Sequence, residues 1–136
     1  MSLASMFERL GAPLHNVRWS WGAVRENDGI VFLRVWQDHV ERKGSSNFVQ
    51  IWRDRGVPEA QLGPAGRERL THIQSIENGS SCFLVMCAAK DPEEQPRRIA
   101  HFNDREVFVG GELLRDGGDV FVELAGREPV RRLVDM

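Results

Sequence analysis

Residues 64–89 read PAGRERLTHIQSIENGSSCFLVMCAA, and two periodicities follow one another within them. Leu70, Ile73 and Ile76 recur at spacings of three, the apolar stripe of an amphipathic helix. Asn78-Gly79 is a stop signal, so the spacing predicts a helix over roughly Pro64 to Glu77. Ser81 to Ala89 is then the most hydrophobic run in the chain. It predicts a strand at the centre of a sheet, apolar on both faces. Cys82 and Cys87 lie five apart in that strand and face opposite sides. They cannot bridge one another, and they read as buried, reduced thiols.

Working outward, the upstream half shows turn signals between apolar runs. Ser5 to Leu10 reads as a short helix closed by Gly11 and Pro13. Val17 to Val24 reads as a strand with Val17, Trp19, Trp21 and Ala23 on one face and Arg18, Ser20 and Gly22 on the other. Asn27-Asp28-Gly29 is a hairpin signal. Ile30 to Asp38 is the return strand, and a turn at Lys43-Gly44-Ser45-Ser46 leads to Phe48–Arg53. The expectation is a three-stranded antiparallel meander. Gly56 to Gly66 reads as a loop.

Downstream, Lys90 to Arg98 reads as a polar loop, and Arg98 to Phe102 and Glu106 to Val109 as short strands. Leu113-Leu114 and Val120 to Leu124 flank the hairpin signal Asp116-Gly117-Gly118-Asp119. Arg127 to Val134 reads as an edge strand. Residues 1–136 make a single domain of α+β class. The expected architecture is a strongly curved, mostly antiparallel sheet or small barrel, with one main helix and a short N-terminal helix.

The composition is that of an ordinary globular protein, 41% hydrophobic and 28% charged with a net charge of −2. No apolar run reaches the length of a membrane span and no secretory leader is present, so the expectation is a cytoplasmic protein without a membrane partner. Of 18 lysines and arginines only Lys43 and Lys90 are lysine. A GC-rich bacterial genome accounts for such a bias, as does a need for planar, bidentate cations.

All 4 tryptophans fall between positions 19 and 52, in Arg18-Trp19-Ser20-Trp21, Arg34-Val35-Trp36 and Trp52-Arg53, and the chain has no tyrosine. Aromatic faces beside guanidiniums are the parts of a surface that stacks on bases or binds cations. They are equally the parts of a core bordered by snorkelling arginines. Trp19, Trp21, Trp36, Trp52, Arg18, Arg34, Ser20 and Asp38 are the candidate binding residues.

Other motifs are weaker. His15, Asp38-His39, Glu41, His72 and His101 near Asp104 lack metal-ligand spacing, and read as solvated or singly hydrogen-bonded groups. No serine sits in a nucleophile elbow. Gly110-Gly111 lacks dinucleotide-binding spacing and reads as a bulge or a tight strand-to-strand corner. The pairs Arg53/Arg55, Arg67/Arg69, Arg97-Arg98 and Arg131-Arg132 read as solvated faces diluted by acidic neighbours, one of them a candidate phosphate contact. No catalytic residue, metal or cofactor is expected.

The segment from Arg69 to Glu123, with its helix, Asn78-Gly79, apolar strand, loop and short strands, resembles the PUA-like group of domains. That group includes the SRA and EVE domains, which read modified bases in DNA or RNA through an aromatic-lined pocket. The resemblance implies a non-enzymatic module for nucleic acid, with Trp19-Ser20-Trp21 and Trp36 as pocket residues. Two further readings stand beside it. One is a small enzyme or small-molecule binder that holds a planar metabolite, with Asp38, His39 or His101 supplying polar contacts. The other is a structural homodimer joined through exposed aromatics.

Overall fold

The computed structural model describes residues 1–134. Helix α1, Leu3–Arg9, is capped by Ser2, whose hydroxyl accepts from the Ser5 N–H at 3.0 Å. Strands β1, Gly22–Val24, and β2, Val31–Trp36, form a hairpin turned by Gly29 at φ +74°. A 3-10 turn over Gln37–His39 leads to a second hairpin, β3, Val40–Lys43, and β4, Ser46–Trp52. Helix α2 spans Pro64–Glu77, as its periodicity predicts, and Gly79 at φ +106° ends it. The rest is β5, Cys82–Ala89; β6, Ile99–Phe102; β7, Glu106–Asp116; β8, Asp119–Pro129; and α3, Val130–Val134.

The fold is α+β, and the described residues form three α-helices and a mostly antiparallel sheet of eight strands. The strand order is β1-β2-β5-β7-β8-β4-β3, with β6 paired to β5. The apolar strand β5 is central: it pairs in parallel with β2 and antiparallel with β6 and β7.

Four expectations need correction. The sheet is not closed into a barrel. The tryptophan-rich segment is no meander, because β2 pairs with β5 while the β3–β4 hairpin sits at the opposite end of the strand order. Only Gly22–Val24 of the Val17–Val24 segment is strand. The stretch before it coils on its own side chains: the Asn16 side chain accepts from the Arg18 N–H, and the Ser20 hydroxyl accepts from the Asn16 N–H. Arg127–Val134 divides between the end of β8 and α3. At Gly110 the β7–β8 register shifts, as expected of a bulge.

Strand alternation sorts the core into two clusters. Phe32, Val85 and Cys87 join Met6, Phe7, Leu10, Val107, Val130 and Leu133. Val31, Leu33, Val35, Cys82 and Leu84 join Val49, Ile51, Ile73, Val120 and Val122. Cys82 and Cys87 are thus buried in different clusters and both are free thiols. Burial pushes each up to about 12, which makes them unreactive.

Two buried arginines hold these layers together. Arg25 donates from Nη1 to the carbonyls of Leu10 at 2.9 Å and Leu133 at 2.8 Å, and its guanidinium also pairs with Asp28. Arg69, from α2, donates to the carbonyls of Ile51 at 3.0 Å, Arg34 at 2.8 Å and Trp21 at 3.1 Å. A single guanidinium therefore ties β4 to β2 and to the segment entering β1, although β4 pairs with neither β1 nor β2 in the ladder.

Candidate functional site

The span made by Arg69 forms part of a cleft of about 690 Å³. Trp36 and Arg34 come from β2, Trp52 and Gln50 from β4, and Trp21 from the segment before β1. The first turn of α2 supplies Ala65 and Gly66, and the flanking loops supply Arg53, Arg55 and Arg97. Trp21, Trp36 and Trp52 are all half-buried. Trp36 packs against the α1-side cluster and Trp52 against the α2-side cluster, whereas Trp21 belongs to neither.

The electrostatics of the cleft depart from those of the whole chain. Arg18, Arg34, Arg53, Arg55, Arg69 and Arg97 line it, against the carboxylates of Asp54 and Glu59. A protein of net charge −2 thus concentrates positive charge in one concavity. Two guanidiniums, those of Arg34 and Arg97, lie 5.2 Å from the Trp36 ring centroid, and that of Arg69 lies 5.7 Å from Trp21. Arg97 is neutralised by a bidentate pair with Asp38 at 2.7 and 2.8 Å, which raises the guanidinium and lowers the carboxyl relative to their ordinary values. Arg34 and Arg69 have no such partner. Among the described residues neither forms an ion pair, Arg34 donates no side-chain hydrogen bond, and the Nε of each is buried without an acceptor. Burial, and then the charge of Arg34, push Arg69 down to about 9. Arg34 is lowered too, chiefly by burial.

Of the predicted residues, Trp21, Trp36, Trp52, Arg18 and Arg34 come together here, and Trp19, Ser20 and Asp38 do not line the cleft. Trp19 meets His15 edge to face, with centroids 5.7 Å apart. Ser20 is buried and donates to Glu68 of α2 at 3.0 Å, so it moors the segment that carries Trp21. The carboxyl of Glu68 is raised by burial, and its other oxygen has no partner. Asp38 stands behind the wall, holding Arg97. His39 lines the cleft, and burial lowers it from its ordinary value.

Two expectations about polar residues fail. Arg69 is buried and not part of a solvated face, and His72 is buried beneath it on α2. The signal was present: Gly66, Arg69 and Ile73 continue the buried stripe of the helix, so a charged residue there occupies a core-facing position. Arg53, Arg55 and Arg97 belong to local arginine pairs in the sequence, but their convergence depends on long-range pairing that local spacing does not encode.

Among the described residues no group of three or more His, Cys, Asp or Glu is placed to hold a metal ion, and no helix is long and apolar enough to cross a membrane. Comparison with protein families, curated proteins and solved structures finds no match to this chain.

Proposed function

We propose that this chain is a non-enzymatic binding module for nucleic acid, taking a base against the tryptophans of the cleft and backbone phosphate on its arginines. The observation that carries the reading is the convergence of Trp21, Trp36 and Trp52 with six arginines in one concavity of an acidic protein. A volume of about 690 Å³ is in the range that takes a nucleotide-sized ligand. Stacking of a base on an aromatic ring contributes ~1–3 kcal/mol and tolerates every base, so the tryptophans provide affinity and the polar wall at Gln50 and His39 provides discrimination. The PUA-like resemblance adds a finer expectation, that the base is flipped out of a duplex or chemically modified. The enzyme reading draws less support, because Asp38 commits both carboxylate oxygens to Arg97.

The test is equilibrium binding of single-stranded, duplex and base-modified oligonucleotides at two salt concentrations. Salt-sensitive binding that Trp21→Ala weakens, with the melting temperature little changed, supports the reading. Absence of binding to every oligonucleotide at low salt refutes it.

A further inference from the structure

Arg34 and Arg69 form no ion pair among the described residues, although the charge of Glu68 reaches Arg69, and their setting narrows the ligand. Arg69 is 5% exposed yet lines the cleft, which places it in the floor. Three of its donors are committed to carbonyls, and its Nε is not. Arg34 keeps its whole fork uncommitted and is held over Trp36. The first turn of α2 opens on the same floor through Ala65 and Gly66. Its N-cap is Gly63, which offers no side-chain oxygen, and no acidic residue stands in that turn. The helix therefore leaves the N–H groups of Ala65 and Gly66 without a side-chain cap where these residues line the cleft, at the positive end of its dipole.

Resting on the reading above, we propose that this floor is a subsite for a phosphate monoester, so that the module recognises a phosphorylated nucleic-acid end or a nucleotide in preference to the interior of a strand. Two arguments favour a monoester. A terminal phosphate carries close to two negative charges at neutral pH and matches the two cations, whereas a diester carries one. A diester must also let the chain leave on both sides, while the floor of a cleft admits a group attached on one side only. The uncommitted fork of Arg34 can meet phosphate oxygens in bidentate fashion, which a lysine cannot, while Arg69 supplies charge from the floor, and no lysine lines the cleft.

The experiment compares one oligonucleotide sequence with a 5′-phosphate, a 3′-phosphate or hydroxyl ends, alongside nucleoside 5′-monophosphates and inorganic phosphate. Each is titrated into the wild type and into Arg34→Gln, with Arg55→Gln as a variant of an exposed rim arginine. The wild type should favour a phosphorylated end by about tenfold to a hundredfold over hydroxyl ends, the value of a charge-assisted contact. Arg34→Gln should erase that ratio, and Arg55→Gln should weaken all oligonucleotides alike. The Arg34 side chain donates no internal hydrogen bond among the described residues, so its variant should fold, and an unchanged melting temperature verifies that. Oligonucleotides that bind equally with and without a terminal phosphate overturn the subsite and leave the nucleic-acid reading standing. Monophosphates or inorganic phosphate that bind in an Arg34-dependent way, with no oligonucleotide binding, support the subsite and remove nucleic acid as the ligand. A terminal-phosphate preference that survives Arg34→Gln also overturns the assignment.

Discussion

Acidification should destabilise this protein largely through one residue, His72. The imidazole is 7% exposed, its Nδ1 is buried without a partner, and Arg69 lies three residues before it on α2. Burial first, and then the charge of Arg69, push it from 6.5 down to about 4. Between those two values the unfolded chain carries a proton that the folded protein does not. Stability therefore falls as the pH falls through that window. At ~1.4 kcal/mol per pH unit, His72 alone removes about 2.5 kcal/mol between about pH 7.5 and about pH 4.5. That is a large share of the ~5–15 kcal/mol that holds a typical domain. His39, also lowered by burial, adds to the loss. Glu68 opposes it, because a carboxyl raised by burial takes up its proton more readily in the folded state. Asp28 and Asp38 are lowered by their arginine partners, so their contribution is held above the unfolded value of 3.8 and lost below it. Urea denaturation of the wild type and of His72→Gln at the two pH values isolates the residue. With a slope of ~1–3 kcal/mol per molar urea, the wild-type midpoint should fall by roughly 1–2 M more than that of the variant. Equal falls in both proteins, or a His72 ring that titrates near its ordinary value in the folded state, would refute the reasoning.

Trp21→Ala should cost affinity for base-containing ligands and little stability, since Trp21 lies outside both core clusters. Trp36→Ala and Trp52→Ala should lose ~3–5 kcal/mol as well, measured by melting beside binding. Gly66→Ala should stabilise the protein by ~0.5–1 kcal/mol, because a Cβ there meets Trp52 and Leu62 at ordinary contact distances of 3.5 and 3.6 Å inside a helix; a lower melting temperature would contradict this. Gly22→Ala should destabilise by ~1–3 kcal/mol or more, since its Cβ would stand 2.5 Å from the Phe32 carbonyl oxygen across the β1–β2 ladder, and chemical denaturation measures the loss. Cys82 and Cys87 should react with a bulky thiol reagent only as fast as the protein unfolds; rapid labelling of both in native buffer would contradict their burial.

The elements written in local chemistry were legible in the sequence. The apolar stripe and stop signal bounded α2, the hydrophobic run marked β5 as central, and Asp-Gly and Gly-Gly signals marked the β1–β2 and β7–β8 hairpins. What local spacing did not carry was partnership. The parallel pairing of β2 with β5 joins residues some fifty positions apart, and nothing in either strand states it. The alternation of Val17, Trp19 and Trp21 imitates a strand, but Asn16 and Ser20 offer the backbone a better set of hydrogen bonds and coil it. The candidate site was legible in its aromatic wall and not in its floor. Trp21, Trp36 and Trp52 advertised themselves by composition, while Arg69 was one arginine among many until the helix placed it inward.

Arg25 has a consequence for how the molecule comes apart. One nitrogen binds the carbonyls of both Leu10 and Leu133, so the end of the first helix and the last helix of the described chain meet within the reach of a single hydrogen-bond donor. Two helices far apart in the chain therefore hang on one side chain, and whatever frees that guanidinium lets both lift together. The cleft stays out of such an event, because none of the residues lining it comes from either helix.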